Sequence, residues 1–123
     1  MAADGRSVIA VARAAAVAAL EVPDVLDLHG GEVGEIATYG GGARVKGVRV
    51  HDRPNHRIRL HLIVRFGARL DDLAEAVRAR VGDALNTSAP DFAGATIDIH
   101  VADVRTGAEA LPAGPPEEPV RWR

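Results

Sequence analysis

The sequence predicts an α+β domain with two layers. Two helices pack on one face of a mostly antiparallel sheet of three or four strands, in the order α-β-β-β-α-β. Three observations carry this. Residues 8–22 and 70–84 repeat apolar side chains at helical spacing. Residues 57–66 and 96–104 alternate apolar and polar side chains, the period of a half-buried strand. The length, 123 residues, suits one domain. That domain is expected over residues 1–105, with residues 106–123 as a tail.

The first helix is expected over residues 7–21, with Ser7 as its cap and Ala as its main filler. Val8, Val11, Ala12, Ala15, Ala19 and Val22 share one side, opposite Arg6, Arg13 and Glu21. Pro23 ends it. Residues 25–29 alternate weakly, as an edge strand would. Residues 30–42 hold six glycines and read as a long loop, with a short strand around residues 33–38.

Strands follow at residues 45–51 and 57–66 around the turn at residues 52–56. Ile58, Leu60, Leu62, Val64 and Phe66 take one face of the second. Arg57, Arg59, His61 and Arg65 take the other, with Ile63 the exception. Apposing the apolar faces of the pair requires an odd loop, here three residues. The second helix spans residues 70–85, with an apolar stripe of Leu70, Leu73, Ala74, Val77, Val81 and Ala84. Asp71, Asp72 and Glu75 open it, where the helix dipole favours acids. In the last strand Ile97, Ile99, Val101 and Asp103 share one parity, and Asp98 and His100 the other. Beyond Thr106, four prolines with Glu117 and Glu118 describe a disordered tail ending Arg121-Trp122-Arg123.

Composition narrows the function. Only 3% of the chain is aromatic, so the core must be built from Ala, Val, Leu and Ile. Large aromatic anchors for a small-molecule substrate are missing. With no cysteine, disulfides, Cys-ligated metals and thiol catalysis are excluded. The net charge of −2 does not describe a chain that binds polyanions along its whole surface. The apolar run at residues 8–20 is too short to span a bilayer and is interrupted by Arg13.

No catalytic signature emerges, and no cofactor is called for. His51, His61 and His100 share the outward sheet face, but no motif fixes their separation and their arginine neighbours would repel a metal cation. Ser7 and Ser88, the latter placed in a turn at residues 86–90, lie in no nucleophile elbow. Asp71 and Asp72 are adjacent on a helix start and point apart. Gly31-Glu32-Val33-Gly34 matches a G-x-x-G phosphate clamp, but Glu32 and Glu35 oppose phosphate, and a turn requiring glycine dihedrals explains the spacing.

Charge distribution says more. Arg49, Arg57, Arg59 and Arg65, with His51, His61 and His100, oppose only Asp98 on the outward sheet face. The second helix exposes Asp71, Asp72, Glu75 and Asp83 against Arg78. Opposite sides of the domain are thus expected to carry opposite charge. Arg49 and Arg59 are expected to face each other across the hairpin, an unfavourable pairing without an acidic partner. Docking of one copy's sheet face on another's helix face would be heterologous and build rings or filaments. The same basic face is the basis of the alternative reading, a small nucleic-acid-binding α/β domain. It lacks an aromatic pair for stacking bases, because Phe66 has the parity of the buried face.

Several segments resemble the alkaline shock protein (Gls-type) envelope stress response family, in its actinobacterial style. They are VIAVARAAAVAALEVPDVLDL from residue 8, HGGEVGEIATYG from residue 29 and VKGVRV from residue 45. IRLHLIVRFGARLDDLAEAVRARV from residue 58 and TIDIHVADV from residue 96 complete the set. The resemblance covers nearly all of residues 7–105 and rests on order and spacing. It implies a non-enzymatic cytoplasmic protein that acts at the cell envelope under stress. Such a protein self-assembles into a homo-oligomer and is held at the inner face of the membrane by a membrane-anchored partner. The family has no catalytic residues to carry over. Trp122 in the tail is a further candidate for docking at a membrane interface.

Overall fold

A computed structural model describes residues 5–52 and 55–106. Its elements are α1 (Gly5–Leu20), β1 (Val25–Leu28), β2 (Ala37–Gly40), β3 (Ala43–Lys46), β4 (Val48–His51), β5 (Arg57–Arg65), α2 (Leu70–Ser88), a 3-10 turn (Pro90–Phe92) and β6 (Thr96–Arg105). The fold is α+β, with two helices over a mostly antiparallel sheet. It holds more strands than expected, a four-stranded sheet and a separate two-stranded one.

β5 is the centre of the sheet. β6 lies parallel to it along one edge. The other edge is shared end to end by β4 and β1, both antiparallel. His61 marks the changeover. Its N–H donates to the Gly47 carbonyl at 2.9 Å, and its carbonyl accepts from His29 N–H at 2.8 Å. A strand so enclosed buries its whole apolar face: Ile58, Leu60, Leu62 and Val64 are fully buried.

The helices close that face. Val11, Ala12, Ala15, Ala19 and Val22 of the expected stripe are buried, joined by Ile9, Ala16 and Ala18. The small side chains let α1 bury more than one side. α1 begins at Gly5, so Ser7 lies inside the helix and not at the expected N-cap position. In α2 the buried row is Leu73, Val77, Val81 and Leu85, while Leu70 is exposed. Leu70 is the first helical residue and has no turn beneath it to cover it. The helix also continues through Ser88, which therefore does not lie in a turn. Phe92, on the 3-10 turn, completes the core and stacks on His56 at 4.1 Å between ring centroids.

Three strand expectations change. The segment at residues 45–51 is broken at Gly47, which takes φ 78° and bends β3 away from β4. β3 pairs instead with β2, which lies later than the strand expected around residues 33–38. Thr38, the one buried polar side chain among the described residues, donates its hydroxyl to the Val48 carbonyl at 2.6 Å and fastens this hairpin to β4. The β4–β5 loop obeys the parity argument, since Val48 pairs with Leu60 and His51 with Arg57, but it has five positions rather than three. Asp52 and His56, 3.0 Å apart, close it.

Near the end of β5 the alternation fails twice. Phe66 is 70% exposed, because the chain leaves the sheet at Gly67, φ 92°. Ile63 is buried although it has the parity of the polar face. A bulge in β6 is the partner of this irregularity: Leu62 pairs with Val101 but Ile63 pairs with Asp103, skipping Ala102. The skip moves Asp103 off the core parity and onto the outward face. Apart from Thr106, the expected tail, with Trp122, lies outside the described residues.

Candidate interaction face

The outward face of the sheet is built from rows of residues in register. Arg49, Arg59 and Asp98 form one row across β4, β5 and β6. His51, Arg57 and Thr96 form the next. His61 lies beside His100 in a third, and Asp27, Ile63 and Asp103 make a fourth across β1, β5 and β6. Period-2 geometry puts Arg49, His51, Arg57, Arg59, His61, Asp98 and His100 on one side, as the sequence implied.

The face is less one-sided than its arginine count suggests. Asp98 accepts from Arg57 and lies 3.9 Å from Arg59, so one carboxylate serves two guanidinium groups. Arg65 pairs with Asp24 at 3.4 Å, and Lys46 with Asp27 at 3.3 Å. Asp103 pairs with Arg105 at 3.1 Å. Asp98 is therefore not the sole acid here, because the turn before β1, β1 itself and the bulge in β6 bring Asp24, Asp27 and Asp103 to the rim. Arg49 has no carboxylate within ion-pair distance among the described residues. It donates to the Glu35 carbonyl at 2.8 Å.

His61 and His100 stand 5.0 Å apart between ring centroids, tilted by 56°. Burial, then His100 and the flanking arginines, hold the His61 imidazole below its ordinary value. Both features favour the neutral ring. His51 belongs to a different row, and the described residues contain no group of three metal-ligating side chains.

The Gly31–Gly34 loop spends its own N–H groups. Gly31 N–H donates to His29 Nδ1 at 3.0 Å, and Val33 N–H to Glu35 Oε1 at 3.1 Å. The N–H groups of Glu35 and Val33 hold the Glu35 carboxyl below its usual range. Gly31, at φ 87°, leaves the room that this carboxylate fills: a Cβ there would stand 2.4 Å from Glu35 Cδ. An acid of the chain itself occupies the position a bound phosphate would need.

The acidic helix face lies on the other layer. Asp71, Asp72, Glu75 and Asp83 are all exposed. Asp72 pairs with Arg69 at 3.1 Å, whereas Asp71, Glu75 and Asp83 have no ion-pair partner among the described residues. The nearby basic residues of α2 are engaged elsewhere, Arg78 with the Ile97 carbonyl at 3.1 Å and Arg80 with Glu21 at 3.3 Å. No described helix is long and apolar enough to cross a membrane.

Sequence reasoning missed Asp24, Asp27 and Asp103 as members of the sheet face. Parity within β1 could have placed Asp27; the bulge that places Asp103 has no local signal. Residues 6–106 match the model of the alkaline shock protein 23 family, described as having a cell envelope-related function. Comparison with curated proteins and with solved structures finds no match.

Proposed function

The chain belongs to the alkaline shock protein 23 family, with its cell envelope-related function, and from that premise we propose that it is a non-enzymatic scaffold. In this reading it self-associates and works at the cytoplasmic side of the membrane, where a membrane-anchored protein holds it. The observation that carries the reading is the separation of under-compensated charge onto opposite layers. On the sheet face Arg57 and Arg59 share the one carboxylate of Asp98, and Arg49 has only the Glu35 carbonyl. Asp71, Glu75 and Asp83 stand without ion-pair partners among the described residues on α2. Each set is what the other lacks, and their contact between copies is heterologous and propagates.

The experiment is sedimentation of the full chain over a salt series, with and without the pair Arg59→Glu and Arg65→Glu. These side chains are about half exposed, so their ion pairs contribute little to folding. The reading expects large species that dissociate as salt rises and are lost in the variant. Large species of unchanged size in the variant would refute docking through this face.

A further inference from the structure

The helical layer holds a second surface that the charge-docking scheme does not use. A groove of about 370 Å³ runs between α1 and α2. Arg13, Ala14, Val17 and Glu21 line it from α1 and the turn after it, and Ala84 and Ser88 from α2. Val17, in its middle, is 55% exposed. With Leu20, 44% exposed, and the alanines beside it, Val17 makes a continuous apolar strip on the helical layer.

We infer that this groove is a dimer interface, in which α1 of a second copy lies antiparallel across α1 about a two-fold axis at Val17.

The charges choose both the occupant and its direction. Arg13 and Glu21 stand four positions to either side of Val17, about 6 Å each way along the helix. A two-fold axis at Val17 therefore lays Arg13 of each copy against Glu21 of the other. A parallel arrangement would oppose like charges at both places. The Arg13 side chain has no ion pair or hydrogen bond among the described residues. Glu21 is held by Arg80 through Oε1 at 3.3 Å, which leaves Oε2 for an incoming guanidinium. The same axis brings Leu20, 44% exposed, over Ala14 of the other copy. Alanines on both walls allow the helices a close approach. The contact is isologous, so each copy offers the same patch and the interface closes at two. It is independent of the sheet face and survives reversal of Arg59 and Arg65.

The chain has no cysteine, so Val17→Cys introduces the sole thiol. The two copies of residue 17 meet at the axis, within the span a disulfide bridges. Mild oxidation of V17C at dilution is expected to give a disulfide-linked dimer far faster than Val33→Cys, whose site is 87% exposed on the loop between β1 and β2. The charge arm stands apart from thiol chemistry. Arg13→Glu alone and Glu21→Arg alone should each weaken the dimer about tenfold or more. A mixture of the two variants should recover it, because both contacts then join opposite charges. Cross-linking of V17C no faster than V33C, or single reversals that leave dimerisation unchanged, or a mixture that fails to recover, would overturn the assignment.

Discussion

Arg49 and Arg59 lie directly opposite each other on β4 and β5, yet their guanidinium groups part company. Arg49 reaches to the Glu35 carbonyl at 2.8 Å, and Arg59 turns toward Asp98 at 3.9 Å. Like charges in register are unfavourable. The protein manages the pair without giving each a carboxylate of its own, and the positive charge left over is what a docking partner would meet.

The same interleaving of acids argues against nucleic acid. Asp27, Asp98 and Asp103 punctuate the face, and Phe66, though exposed, lies past the end of β5 with no second aromatic beside it in the sheet rows. A gel-shift titration with single-stranded RNA or DNA at low salt is expected to show no complex. A shifted band with a negative salt slope would favour the nucleic-acid reading.

Leu62 is the test of a core without aromatics. It is fully buried on the central strand. Leu62→Ala is expected to cost about 2–5 kcal/mol in urea unfolding, near the upper end if the helices cannot settle into the void. A loss under 1 kcal/mol would mean a core loose enough to refill.

Gly47 holds the bend between β3 and β4. At φ 78°, an added Cβ would stand 2.6 Å from Leu28 Cβ and 3.1 Å from His29 N. Gly47→Ala should destabilise the protein by roughly 1–3 kcal/mol. Gly94→Ala, where a Cβ meets open space, should change stability by no more than about 0.5 kcal/mol.

His61 sets an acid limit. Its folded-state value is lowered from 6.5 by burial first and by His100 next. The unfolded chain therefore takes up the proton more readily, and stability is full above about pH 6.5 and falls as pH drops toward the folded value. Glu35 and Asp103 are also lowered, from 4.5 and 3.8, so their contributions fade only at lower pH. Between pH 7.5 and 5.5 the urea midpoint should decrease, and His61→Gln should flatten that decrease. Equal slopes in the two proteins would assign the effect elsewhere.

Much of this fold is legible in the sequence because it rests on periodicity. The rows Ile58, Leu60, Leu62, Val64 and Leu73, Val77, Val81 can be read directly, and they are the buried centre. What is not legible depends on local backbone geometry with tertiary causes. Gly47 breaks a strand that alternation would continue, and nothing in its neighbours announces the bend. The β6 bulge at Ala102 exchanges the faces of Asp103 and Val104. On the interaction face, parity located the arginines and histidines, but the acids that answer them come from β1, its preceding turn and the bulge, which are far in sequence. The groove beside Val17 was hidden for another reason: α1 is so rich in alanine that its exposed and buried sides look alike.

The central claim is that copies join by the basic sheet face and the acidic helix face. Reversing Arg59 and Arg65 to Glu in one chain, and Asp71 and Glu75 to Arg in another, makes each chain like-charged on both faces. Analytical ultracentrifugation should show each variant alone at no more than the α1-paired dimer, and an equimolar mixture regaining larger, salt-sensitive species. Large species in either variant alone, or none in the mixture when wild type forms them, would contradict the account.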